Sequence, residues 1–134
     1  MCDILLVEDN PIFRRTLYES LTARFPQAEI ETVESGEAAI EKCDCTCPRI
    51  IFLDLALPGI NGLQVTEQIR SKYSQVVIAV ITGNDFPEYR EAAGMKGADF
   101  FISKNTARLE EILALAATFI EEDPDGHPPE RYRI

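Results

Sequence analysis

Five short apolar runs punctuate the chain: Ile4-Leu5-Leu6-Val7, Ile30 to Val33, Ile50-Ile51-Phe52-Leu53, Val76 to Ile81, and Phe100-Phe101-Ile102. Three of them are continuously apolar rather than alternating, the pattern of strands covered on both faces of a parallel sheet. Between the runs, apolar residues recur at helical spacing: Phe13, Leu17 and Leu21; Ala39, Ile40 and Cys43; Val65, Ile69 and Tyr73; Tyr89 and Ala93; Leu109, Ile112, Leu113, Ala116 and Ile120. Strand and helix alternate five times. This predicts an α/β fold, a doubly wound five-stranded parallel sheet with helices on both faces and the flavodoxin-like strand order 2-1-3-4-5.

Local signals agree with that parse. Asn10-Pro11 supplies a cap and a preset first residue for helix 1, and Ser35 a cap for helix 2. Gly97 stands where helix 4 should stop. Gly94, inside the same helix, costs it roughly 1 kcal/mol against alanine. It marks either the least rigid of the five helices or a tight packing contact. Leu115 and Phe119 lie beside the core stripe of the last helix and widen its apolar face. That margin reads either as a partner surface, including a homodimer through the last helix, or as packing by the tail or a neighbouring helix. From residue 122 the text turns rich in proline and charge, so residues 1–121 are read as one domain and 122–134, with His127, as a flexible tail or the start of a linker.

Composition narrows the function classes. The 134 residues suit one domain, and 46% hydrophobic with 27% charged residues is a globular balance. No apolar run approaches the ~20 residues that span a bilayer, and Met1-Cys2-Asp3-Ile4 lacks a basic secretory start, so a cytoplasmic protein without a membrane partner is expected. With 13 Lys plus Arg against 23 Asp plus Glu, the formal charge of -10 repels nucleic acid; DNA binding would need another polypeptide or a missing domain. Cys43, Cys45 and Cys47 alternate within one stretch. Their spacing is too tight for a structural zinc site and points neighbouring thiols apart on a strand, so they are read as reduced thiols.

In an open parallel sheet, ligands bind beyond the carboxyl ends of the strands, where the winding reverses. Strand 1 ends in Glu8-Asp9, strand 3 in Asp54, strand 4 in Thr82-Gly83 and strand 5 in Ser103-Lys104. Strands 1 and 3 are neighbours in the expected order, so Glu8, Asp9 and Asp54 should converge. Three close carboxylates repel one another unless a cation sits among them. Mg²⁺, a hard ion that takes one or two carboxylates plus phosphate oxygen, suits such a site better than zinc, for which histidine and thiol ligands are missing there. A carboxylate can act as nucleophile toward phosphorus when cations offset the charge on the transferring group. Lys104 would supply a point charge, Thr82 a hydroxyl donor, and Gly83 space.

The segments Leu6-Val7-Glu8-Asp9-Asn10, Phe52-Leu53-Asp54-Leu55-Ala56-Leu57-Pro58-Gly59, Val80-Ile81-Thr82-Gly83 and Phe101-Ile102-Ser103-Lys104 resemble the motifs of response-regulator receiver domains, over residues 3 to about 121. The resemblance implies a phospho-accepting switch of a two-component system rather than an enzyme, with at most slow self-dephosphorylation. In it, Asp54 accepts a phosphoryl group from a sensor histidine kinase or phosphotransfer protein. Glu8, Asp9, Asp54 and the backbone carbonyl of Ala56 bind Mg²⁺. Thr82 and Lys104 read the phosphoryl group, Thr82 and Phe101 are switch residues, and the surface of helix 4, strand 5 and helix 5 changes for a downstream protein or a missing effector domain. Leu57 stands where methionine is frequent, Phe101 replaces a tyrosine, and Asn105 follows Lys104 where many members have proline. None of these removes a reacting group. Phe101 lacks a hydroxyl, so an inward state would rest on apolar burial. A core role for Phe101 and a switch role remain equally open. Ala56 and Asn84 fall at positions that, in the family, tune phosphoryl lifetime. Two rivals fit less well. A flavodoxin would need a Ser/Thr/Gly-rich phosphate loop where Glu8-Asp9 stand. A haloacid-dehalogenase-type phosphatase needs a second aspartate where Ala56 stands.

Overall fold

The computed structural model describes residues 2–121 and 132–134. Five strands and five helices alternate: β1 (Ile4–Val7), α1 (Pro11–Arg24), β2 (Ile30–Val33), α2 (Gly36–Cys45), β3 (Ile50–Leu53), α3 (Gly62–Lys72), β4 (Val77–Thr82), α4 (Pro87–Lys96), β5 (Phe100–Ser103) and α5 (Leu109–Ile120). The sheet is parallel, in the order β2-β1-β3-β4-β5. The doubly wound architecture expected from the apolar runs is therefore the one observed.

Burial explains those runs. Every residue of β1 and β3 is buried, and so are five of the six in β4, whereas edge strand β2 has no buried residue and carries Glu31 and Thr32 at its centre. Side chains that alternate along the strands feed two cores. Leu5, Val7, Ile51, Leu53, Ile78, Val80 and Phe101 meet α2, α3 and α4 on one face. Ile4, Leu6, Ile50, Phe52, Ile81, Phe100 and Ile102 meet α1 and α5 on the other. Leu115 belongs to this second core and is fully buried, which fits the packing reading of that margin and not the partner-surface one. Phe119 packs edge-on to Phe100, with ring centroids 5.9 Å apart.

The helix ends follow the sequence signals. Asn10 Oδ1 accepts from the backbone N–H groups of Ile12 and Phe13, at 3.0 Å each, and Ser35 Oγ from that of Ala38 at 3.2 Å. Gly97, at φ 109°, ends α4 in the left-handed conformation that glycine adopts at least cost. Cys43 and Cys45 lie on α2, not on a strand: Cys43 is buried, while Cys45 and Cys47 are exposed and free. Burial, chiefly, pushes the Cys2 and Cys43 thiols up to about 12. Proline-rich residues 122–131 and His127 lie outside the described residues. Tyr132–Ile134, expected in a tail, lie against β5, where Arg133 forms an antiparallel bridge with Phe100.

Arg70 ties α3 to the start of β5. Its guanidinium donates to the carbonyls of Gly97 (2.9 Å), Tyr73 (3.1 Å) and Ser74 (2.9 Å) and to Asp99 Oδ2 (2.7 Å). Arg70→Ala is expected to cost about 1–2 kcal/mol, a figure discounted because Asp99 is partly solvated. The loss should appear as a lower urea midpoint at unchanged slope. An unchanged midpoint would show these bonds to be no better than bonds to water.

Candidate functional site

Each chemical group sits at or just past the carboxyl end of a strand, and the sheet ladder extends far enough to fix it. Glu8 N–H donates to the Val33 carbonyl (3.1 Å), Asp54 N–H to that of Val7 (3.0 Å) and Lys104 N–H to that of Thr82 (2.9 Å). Thr82 is the last residue of β4, opposite Ser103. Pairing of β1 with β3 therefore brings Glu8, Asp9 and Asp54 to one edge, as the strand order requires. One carboxylate oxygen from each lies within 4.8 Å of the others. Glu8 and Asp54 are 4% and 7% exposed, while Asp9 is open to solvent.

Lys104 closes the cluster. Its ammonium donates to Glu8 Oε1 and to Asp54 Oδ2, the latter at 3.0 Å. It also stands 4.3 Å from the centroid of the Phe13 ring, within cation–π range. Asp54 Oδ1 accepts the backbone N–H of Ala56 at 3.1 Å. Burial and the neighbouring Asp54 push Glu8 up to about 7, against the pull of Lys104. For Asp54, burial pushes upward, but the influence of neighbouring Glu8, Lys104 and the Ala56 N–H outweighs it and holds the carboxyl below its ordinary value. Burial lowers Lys104, but its two carboxylate partners outweigh that and raise it. Of the two buried carboxyls, Asp54 is thus the one favoured in the ionised form.

The donor set fits a hard divalent cation. It consists of oxygen only, and Glu8 Oε2 is buried without a hydrogen-bond partner. An orphaned carboxylate oxygen in a buried acidic cluster is one that a cation can satisfy. Ala56 is exposed directly beyond Asp54, and its N–H bond to Asp54 Oδ1 keeps its backbone beside the cluster. Gly83 already faces open space, since a Cβ there would meet nothing within 4 Å. Thr82 is fully buried, and its Oγ1 accepts the Asn84 N–H at 3.1 Å. Phe101 is buried in the α2–α4 core.

Two contributors escape a reading of motifs. Phe13 reads as one member of the α1 core stripe, yet it also carries the Lys104 ammonium. Arg14 donates to the Glu8 carbonyl (3.0 Å) and pairs with Glu34 (3.0 Å), tying α1 to the β1 and β2 ends. Their proximity to Asn10-Pro11, directly after Glu8-Asp9, is the signal that places them there. Among the described residues, no helix is long and apolar enough to cross a membrane.

Comparison with known proteins converges on one family. A family model described as the response regulator receiver domain matches residues 4–117. The chain is 34% identical over 128 residues to the response regulator MprA of Mycobacterium sp. (strain KMS), covering 92% of this chain and 54% of that protein. It is 33% identical over 126 residues to the response regulator ArlR of Staphylococcus epidermidis, covering 93% and 55%. The chain thus spans about half the length of the curated relatives it matches. The receiver domain of NtrX from Brucella abortus superposes with a TM-score of 0.78 at 25% identity, over 90% of this chain and 100% of that one. The signal receiver domain of a DNA binding response regulator from Colwellia psychrerythraea 34H shares the fold, with a TM-score of 0.82 at 21% identity over 90% and 99%.

Proposed function

Given that the chain belongs to the response regulator receiver family, we propose that Asp54 is its phosphoacceptor and that phosphorylation switches the α4–β5–α5 surface between partner-binding states. The observation that carries this reading is the convergence of Glu8, Asp9 and Asp54 within 4.8 Å, with Lys104 bonded to both Glu8 and Asp54.

An Asp54 carboxylate oxygen attacks the phosphorus of a phosphohistidine on a sensor kinase or phosphotransfer protein. The P–O bond forms as the P–N bond breaks, and the departing imidazole keeps the electron pair and takes up a proton. Asp54 suits the role because its carboxyl is favoured in the ionised form and lies just past the carboxyl end of β3. Lys104 offsets charge on the phosphoryl oxygens at a site where water is largely excluded, which strengthens the pairing. Glu8, Asp9, Asp54 and the Ala56 carbonyl would hold Mg²⁺, whose charge lowers the cost of bringing a phosphoryl dianion to three carboxylates. The Thr82 hydroxyl supplies a further donor once it turns from its bond with the Asn84 N–H. That turn would move the end of β4, the following loop and α4 together. The chemistry of the chain is limited to accepting the phosphoryl group and slowly losing it to water.

The partners of this reading are the phosphodonor and either a downstream protein or an effector domain elsewhere in a longer chain. A homodimer through α5 gains little from Leu115 or Phe119, which pack inward. With a charge of -10, direct nucleic-acid binding by this segment is not part of the reading.

Incubation with acetyl phosphate and Mg²⁺, followed by intact mass measurement, should show a single added phosphoryl group. Chelation of the Mg²⁺ beforehand should reduce uptake at least about tenfold, since each 1.4 kcal/mol of lost charge stabilisation is worth that factor. Uptake that is indifferent to chelation would remove the metal from the reading.

A further inference from the structure

Strand β5 is the free edge of the sheet beyond β4, and an unpaired edge invites an extended segment. Here that edge is taken. Arg133 forms an antiparallel bridge with Phe100, and the Ile134 N–H donates to the Asp99 carbonyl at 3.0 Å. Arg90 of α4 donates to the Arg133 carbonyl at 2.7 Å, and the Arg133 guanidinium stands 5.3 Å from the centroid of the Phe100 ring. Tyr132 is 5% exposed, enclosed in the core shared by β5 and α5. Ile134 fills the notch over Gly94: a Cβ built there would lie 2.4 Å from Ile134 Cγ2. The glycine that weakens α4 is thus also the one that admits this side chain.

We propose that Tyr132–Ile134 is a latch, a segment of this chain seated on the outer edge of β5 against α4 and α5, which keeps that face closed to partners until phosphorylation releases it. The proposal rests on the phosphoacceptor reading of Asp54. Its seat is made from the elements that the switch would move. Arg90 and Gly94 belong to α4, while Asp99 and Phe100 lead into Phe101. A groove of ≈ 460 Å³ joins Phe101, Pro87 and Arg90 to Thr106 and Tyr132. A shift of α4 by an ångström or so would break a 2.7 Å hydrogen bond and open the Gly94 notch, because such bonds weaken steeply with distance and angle. A partner that pairs with the β5 edge would need the Asp99 carbonyl that Ile134 already holds. Coupling of this kind is reciprocal, so holding the latch shut must disfavour the phosphorylated state by the same factor that phosphorylation disfavours the latch.

The notch supplies its own test. A Cβ at position 94 would stand 3.7 Å from Ile134 Cβ. That lies inside the roughly 3.5–4.5 Å range of disulfides. Gly94→Cys with Ile134→Cys, in a chain whose exposed Cys45 and Cys47 are changed to serine, should therefore cross-link on mild oxidation. Cys2 and Cys43 are buried and poorly ionised, so they should stay silent. The oxidised protein should take up phosphoryl from acetyl phosphate and Mg²⁺ roughly tenfold more slowly than the same protein after reduction, within the usual span of allosteric coupling. In the otherwise unchanged chain, Tyr132→Ala should speed uptake above the unsubstituted level. Failure of the cross-link to form would overturn the seat. Equal uptake by the oxidised and reduced forms would overturn the coupling. If the unsubstituted protein itself takes up no phosphoryl, the Asp54 reading fails, and the latch falls with it.

Discussion

Alanine at position 54 is expected to abolish phosphoryl uptake, leaving no adduct by intact mass where the unsubstituted protein gains one. The neighbouring carboxylates are poor substitutes for physical reasons. Glu8 is buried, is bonded to Lys104 and in this reading is committed to the Mg²⁺, so it is a weak nucleophile. Asp9 is exposed, and among the described residues it accepts no bond from Lys104 or from a backbone N–H comparable to that of Ala56. The fold should survive the change. Lys104 keeps Glu8 as a partner, and Asp54 contributes no side-chain atom to either apolar core. Circular dichroism should thus be unaltered while uptake disappears. An adduct of equal amount in Asp54→Ala would place the phosphoryl group elsewhere and end the assignment.

How much of this was legible beforehand follows from where each residue sits. Strands covered on both faces must be apolar along their whole length, so β1, β3 and β4 declare themselves, and the first polar residues after them declare the strand ends. Glu8, Asp9, Asp54, Thr82 and Lys104 are legible for that reason, and the strand order alone makes the first three converge. Helix faces are less definite. Leu115 reads as a margin because Leu109, Ile112 and Leu113 already fill one stripe, yet α5 lies deep enough against β5 to enclose it. Phe13 serves the core and Lys104 at once, and a spacing argument sees only the first. The seat of Tyr132–Ile134 is hidden in a proline-rich, charged stretch, since nothing local distinguishes an edge-pairing tripeptide from a linker. Gly94 carried two readings, and the packing one is supported by Ile134.

Gly62→Ala is expected to destabilise the protein by about 3 kcal/mol, at the upper end of the cost of forced overpacking. Gly62 opens α3 where the helix meets the loop leaving β3, and its N–H donates to the Leu55 carbonyl at 3.0 Å. A Cβ there would lie 2.4 Å from the Asp54 carbonyl oxygen and 2.6 Å from Leu55 Cα. Both obstacles are backbone, so no side chain can swing aside. Either the α3 start or the Asp54 loop must move. Gly83→Ala is the matched control, because its Cβ would meet nothing within 4 Å. Its midpoint should stay within about 0.5 kcal/mol of the unsubstituted protein, allowing for the lower backbone entropy of alanine in the unfolded chain. The same displacement should slow phosphoryl uptake in Gly62→Ala even where the protein is fully folded, since the loop that yields carries Asp54 and the Ala56 N–H bonded to it. Urea unfolding of the two variants side by side decides the matter. Equal midpoints would mean that the loop after β3 accommodates a methyl group freely, and that the approach of α3 to it does not hold the acceptor in place.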